Sequence, residues 1–174
     1  SRGVVLGTML QDEAFHFLRM GTFLERADNT ARLLDVKFLS ANETLETTTN
    51  PVDDFYYWTA ILKSVSAFEN YRKVYRDMIS PEKVAELLIL NMNMPRSLSA
   101  CLQEIVEILS RVRNKQSGPT RMAASKLLAE IRDHNISEIL NNSLHAYLTK
   151  FLDKINQVGL GISQDFLLPL EDAA

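Results

Sequence analysis

Apolar residues recur at alternating intervals of three and four through the first part of the chain: Phe17, Met20, Leu24, Ala27, Ala31, Leu34 and Phe38. That spacing is the core-facing strip of an amphipathic helix, and Leu10 and Ala14 lie close to it. Residues 8–38 hold no proline and one glycine, Gly21. A helix of that span is about 46 Å long and needs several neighbours to cover it. Residues 40–52 are polar and threonine-rich, and predict the longest loop. A second helix follows from Asp53 or Asp54 as cap, with Trp58, Ile61, Leu62, Val65 and Phe68 inward, continuing toward Tyr75 and Ile79.

Ser80-Pro81-Glu82 is a helix start: a serine cap, proline at the first helical position and an acid in the first turn. The third helix, 81–91, is apolar almost throughout and should be buried. A fourth, restarting after Pro95 and running to about 113, turns Leu98, Cys101, Leu102, Ile105, Ile108 and Leu109 inward. Gly118-Pro119 marks a turn. The fifth helix, 120–133, carries Met122, Ala123, Leu127, Leu128 and Ile131. Ser137 caps a sixth, with Leu144, Leu148, Phe151, Ile155 and Val158 inward and Gly159 and Gly161 at a fraying end. Residues 166–174 form a tail. No strand alternation appears, so the expected fold is all-α: an elongated bundle of about six helices with one long N-terminal helix.

Composition supports this. The chain has 174 residues, 46% hydrophobic and 24% charged, so one domain spanning 1–174 is the expected unit. Six glycines and five prolines are too few for a turn-rich β-sandwich or barrel. A lone cysteine excludes an internal disulfide framework and a cysteine-based zinc site. A net charge of −3 gives no nucleic-acid footprint. With no apolar run long enough to span a bilayer and no signal-like start, a cytoplasmic setting without a membrane partner is expected. The chain opens at Ser1-Arg2-Gly3 without a methionine, as a piece of a longer protein would.

A second stripe, Glu25, Asp28, Arg32 and Asp35, lies beside the apolar strip of the first helix. Arg32 has Asp28 four residues before it and Asp35 three after, so it is locally satisfied. Glu25 has no cation, and Arg26 no anion, at helical spacing. The pair is expected to reach other helices, with Arg72, Arg76 and Arg96 as cationic candidates for Glu25. Surface charge and a ligand role are the alternatives. Gly21 points the same way: a mid-helix glycine costs about 1 kcal/mol relative to alanine and implies a close neighbour. Tyr71 and Arg72 are placed in the same polar pocket as Glu25 and Arg96. The candidate polar cluster, structural or ligand-binding, is therefore Glu25, Arg26, Asp28, Arg32, Asp35, Tyr71, Arg72 and Arg96.

No catalytic motif is recognisable. Glu13 and His16 form one Glu-x-x-His, where a di-iron bundle needs two plus two further glutamates. Cys101, on an apolar face, reads as a buried thiol. Nucleophile elbows and phosphate-cradling glycine loops are lacking, so no cofactor or metal is expected.

The segment from Phe15 to Asp35, F-H-F-L-R-M-G-T-F-L-E-R-A-D-N-T-A-R-L-L-D, resembles the signature of the bacterial alpha-E domain family, with Glu25-Arg26 as its Glu-Arg motif. Trp58, Tyr71-Arg72, Ser80-Pro81, Pro95-Arg96-Ser97 and Cys101-Leu102 follow in the family's order. Phe15 stands where the pattern has tryptophan and Thr22 where it has arginine. The resemblance implies that this chain is the C-terminal half of a duplicated protein. It also implies an accessory or binding role in peptide synthesis or modification, with an ATP-grasp-type ligase and a transglutaminase-like protein as partners. Two alternatives stay open: an enzyme whose acid/arginine cluster acts on a peptide-like substrate, and a structural module that forms homo-oligomers.

Overall fold

The computed structural model describes residues 11–45 and 50–167. Among them are eight helices and no strand: α1 (Gln11–Leu45), α2 (Pro51–Ser64), α3 (Phe68–Tyr75), α4 (Pro81–Leu90), α5 (Leu98–Arg111), α6 (Gly118–Asp133), α7 (Ile136–Asn142) and α8 (Leu144–Phe166). The fold is all-α with a long N-terminal helix, as the periodicity implies. Leu10, residues 46–49 and residues 168–174 of the expected tail lie outside the described residues.

The core forms where α1 is gripped between α5 and α8, with α6 closing the far side against both. Met20, Ala27, Ala31 and Leu34 of the predicted strip are at most 1% exposed. Two alanines at its centre let two neighbouring helices approach closely. The α4 helix packs on α5, with Val84, Ala85, Leu87, Leu88 and Ile89 buried. No helix among the described residues is long and apolar enough to cross a membrane.

The expected count of six becomes eight because two long segments break. After Ser64 the chain turns through Ser66 in the left-handed region (φ 56°). Ala67 N–H donates to the Leu62 carbonyl at 2.8 Å and Ser66 N–H to that of Lys63 at 3.1 Å. This is a Schellman closure built on serine where glycine is usual, so no glycine announces it. The second break is at Ser143, between α7 and α8.

Boundaries shift for local reasons. Residues 40–45 belong to α1 and not to a loop. Asn50, not Asp53 or Asp54, caps α2: its side chain accepts from Val52 N–H, Pro51 takes the first turn, and the two aspartates fall in that turn. Ser80 caps α4 as expected, accepting from Lys83 N–H at 3.2 Å. Asn135 caps α7 and Ser143 caps α8, in place of Ser137.

On α6 the inward residue is Ala124, while Met122 is 71% exposed. Gly159 and Gly161 do not mark a fraying end, since α8 continues to Phe166. Gly161 instead makes room for Thr120 of α6, whose hydroxyl donates to Asp165 at 2.6 Å.

Candidate functional site

Asp35 and His145 are 110 residues apart in sequence, and the packing of α1 on α8 brings them together. His145 Nδ1 lies 2.7 Å from Asp35 Oδ1; the side chains are 60% and 19% exposed respectively. They stand at the edge of a groove of about 430 Å³ lined by Phe38, Leu39, Trp58, Pro81 and Leu144 among others. Phe38 and Trp58 have ring centroids 4.8 Å apart, and Trp58 is 2% exposed. The groove therefore has an aromatic floor and one ionisable pair at its rim. A ligand site commonly has this form, mostly apolar with a few convergent polar groups. With Nδ1 directed at a carboxylate, the imidazole is held in one orientation, and Nε2 has no partner among the described residues.

Ser143 lines the same groove. Its backbone sits at φ 117° and ψ 106°, outside the ordinary range for an L-residue, while its hydroxyl accepts from Ala146 N–H at 3.1 Å. Strain of this kind persists only where surrounding structure enforces it. Here α7 ends and α8 begins on one residue, and that sharp corner places His145 in the first turn of α8, facing α1.

The other members of the predicted cluster are dispersed. Asp28 accepts from Arg32 Nε at 2.8 Å, so Arg32 is satisfied by Asp28 while Asp35 turns to His145. Glu25 is exposed and forms no ion pair among the described residues, with Arg72, Arg76, Arg96 or any other cation. The expectation of an interhelical partner for Glu25 is corrected: its side chain leaves α1 on the outer side. Gly21 is likewise exposed, and a methyl group there would meet nothing within 4 Å, so it marks no close approach.

Arg26 lies half-buried, 5.7 Å from the centroid of Phe23. Arg96 is held to α1 through its carbonyl, which accepts from Thr30 Oγ1 at 2.9 Å. Both arginines bear on Cys101 of α5, a buried thiol that donates to the Pro95 carbonyl. Burial pushes this thiol up to about 11, only partly offset by the two arginines; it is no nucleophile at neutral pH.

Tyr71 does not share a pocket with Glu25. It is fully buried, donates to the Met78 carbonyl at 2.9 Å and accepts from Ser80 N–H at 3.1 Å, tying α3 to α4. Arg72 is exposed, with its guanidinium 5.9 Å from the Phe68 ring centroid.

Among the described residues no group of three or more His, Cys, Asp or Glu could hold a metal ion. His16 keeps a buried Nδ1 without a hydrogen-bond partner, but Glu13 is exposed and adds nothing to it.

The Glu-Arg dipeptide occurs once in the chain, at Glu25-Arg26. A family model described as a predicted alpha-helical domain with a conserved ER motif, Alpha-E, matches residues 1–167. The chain belongs to the alpha-E family. No curated protein and no solved structure matches it. In this alpha-E domain the motif is divided between two faces of one helix, because successive residues are about 100° apart. Arg26 turns toward α5 and Glu25 turns outward. The groove lies elsewhere, about three to four turns further along α1, and only Asp35 of the residues singled out by charge pattern takes part in it. His145 carries no sequence signal: no acid stands at helical spacing that would pick it out.

Proposed function

We propose that this alpha-E domain is a non-catalytic binding module that holds a peptide-like segment in the α1–α8 groove. In this reading it serves a peptide-synthesis or peptide-modification system. The ATP-grasp-type ligase and transglutaminase-like protein implied by the family resemblance are the enzymes acting on the chain it presents.

One observation carries the reading: an aromatic floor of Phe38 and Trp58 with the Asp35–His145 pair at its rim. Such a site takes one apolar side chain against the rings and a cationic or hydrogen-bonding group against the carboxylate. Its size is suited to one or two residues. The chain's single tryptophan forms part of the floor, so occupancy is read directly from its fluorescence.

The test is a fluorescence titration with short apolar peptides bearing a free terminal amine and with their N-acetylated counterparts. The expected result is a saturable emission change, weaker for the acetylated set and weaker again for Asp35→Asn. An emission spectrum unmoved by every peptide overturns the reading.

The same pair favours a second reading, an acid–base enzyme, since a carboxylate on Nδ1 orients imidazole for proton transfer at Nε2. Hydrolysis of a peptide or ester that stops in His145→Ala, with binding retained, would replace the first reading by the second.

A further inference from the structure

We infer that the outer face of α1 is a self-complementary seam through which two copies of this chain pair antiparallel. Phe15, Leu18, Val36 and Leu39 are 58%, 55%, 57% and 47% exposed. Between these apolar ends stand Thr22, Glu25, Asn29 and Arg32, also exposed. From Phe15 to Leu39 the spacings are three, four, three, four, three, four and three, the two-position seam of a coiled coil about 36 Å long. The seam lies opposite the buried line of Met20, Ala27, Leu34 and Ala41, so α1 is amphipathic on one side and open along the other.

The spacings read the same from either end. Reversing the helix about a two-fold axis sets Phe15 against Leu39 of the second copy, Leu18 against Val36, Thr22 against Arg32 and Glu25 against Asn29. Every apolar position meets an apolar one. Glu25 comes within about one helical turn of the second copy's Arg32, twice by symmetry.

The charges select this direction. A parallel pair in register sets Glu25 on Glu25 and Arg32 on Arg32. Of the charges beside the two-fold axis, Asp28 is paired with Arg32 of its own chain and Arg26 is laid over Phe23. A lipid surface or a continuous apolar groove on another protein would need an apolar middle, which this face lacks.

Pairing gives Glu25 of the Glu-Arg motif a cation, which no described residue of its own chain supplies: Arg32 of the second copy keeps Nε on its own Asp28 and offers its terminal N–H groups. It also brings Phe15 of the second copy over Leu39, which lines the groove. The inference stands whatever the groove binds.

The experiment uses two variants in a Cys101→Ala background, Leu18→Cys and Val36→Cys, oxidised separately and as a mixture. The expected result is a linked dimer in the mixture and little in either variant alone. Linkage in Leu18→Cys alone would show parallel pairing and overturn the proposal. Sedimentation equilibrium of the unsubstituted chain is the second measurement. A dimer is expected, with its dissociation constant raised about tenfold or more by Leu18→Ser with Val36→Ser. Circular dichroism of that variant should keep its helical signal. A monomer at every concentration reached overturns the proposal and leaves the seam to a different protein.

Discussion

Thr120 occupies the space that a side chain at Gly161 would fill. A methyl group on Gly161 would run into Thr120 Oγ1, which is committed to Asp165. The hydroxyl therefore ties α6 to α8 across a gap that only glycine leaves open.

Gly161→Ala should destabilise the fold by about 1–3 kcal/mol, the usual result of overpacking a tight contact. Gly21→Ala should be neutral or stabilising by up to about 1 kcal/mol, because its added methyl meets nothing and the helix gains propensity. Thermal melts of the two variants should move in opposite directions, or the first alone should move. Equal losses would refute the assignment.

Glu25→Ala should shift stability by less than about 0.5 kcal/mol at concentrations where the chain is monomeric, as for other exposed positions. Tyr71→Phe is the contrast. It removes a hydroxyl that satisfies both the Met78 carbonyl and Ser80 N–H. A loss of about 1–3 kcal/mol is expected, measured by urea unfolding.

These pairs show what the charge and apolar patterns made legible. The α1 strip was readable because its period is local, and Ser80-Pro81 because a cap is written in adjacent residues. By position alone Gly21 reads as a close approach and Gly161 as a helix end, and the structure reverses the two. What separates them is which neighbour arrives, and that depends on the packing of α6 on α8. Glu25 lacks a cation at helical spacing, which predicts a partner on another helix, but an outer face satisfies the same pattern. The α2–α3 break hid because serine holds the left-handed position that glycine normally marks. Residues 40–45 read as loop because Ser40, Asn42, Glu43 and Thr44 interrupt the apolar period, yet the helix runs on to Leu45. The Asp35–His145 pair joins positions 110 residues apart, and no spacing rule reaches across such a separation.

Alkaline pH should weaken the fold. Burial raises the Cys101 thiol to about 11 and, aided by Glu130, the Tyr147 hydroxyl to about 12. Burial together with the hydrogen bond to Glu86 raises Tyr75 as well. Each group stays protonated in the fold above the pH at which it ionises in the unfolded chain. Their contribution is complete below about pH 8.5, and it is lost as pH climbs through the folded values. Melting temperature should fall between about pH 9 and 12, and Cys101→Ala should flatten the first part of that fall. An unchanged slope in the variant would remove Cys101 from the account.

Ser143→Ala should cost about 1–2 kcal/mol, since it removes the α8 cap and leaves a β-carbon on a strained backbone. Ser143→Gly should cost less, because glycine tolerates φ 117° and loses only the cap. Chemical denaturation of the two variants decides it: glycine worse than alanine would mean that the backbone there is not strained.

That corner also fixes a phase. With Ser143 alone between α7 and α8, nothing can absorb a change of length. One residue inserted there would rotate α8 by about 100° relative to α7 or push it along its axis by about 1.5 Å. Either change carries His145 off Asp35 while leaving both side chains intact. The chemistry of the groove thus depends on a count of residues as much as on their identity, and an insertion or deletion at that corner would silence it without replacing any titratable group.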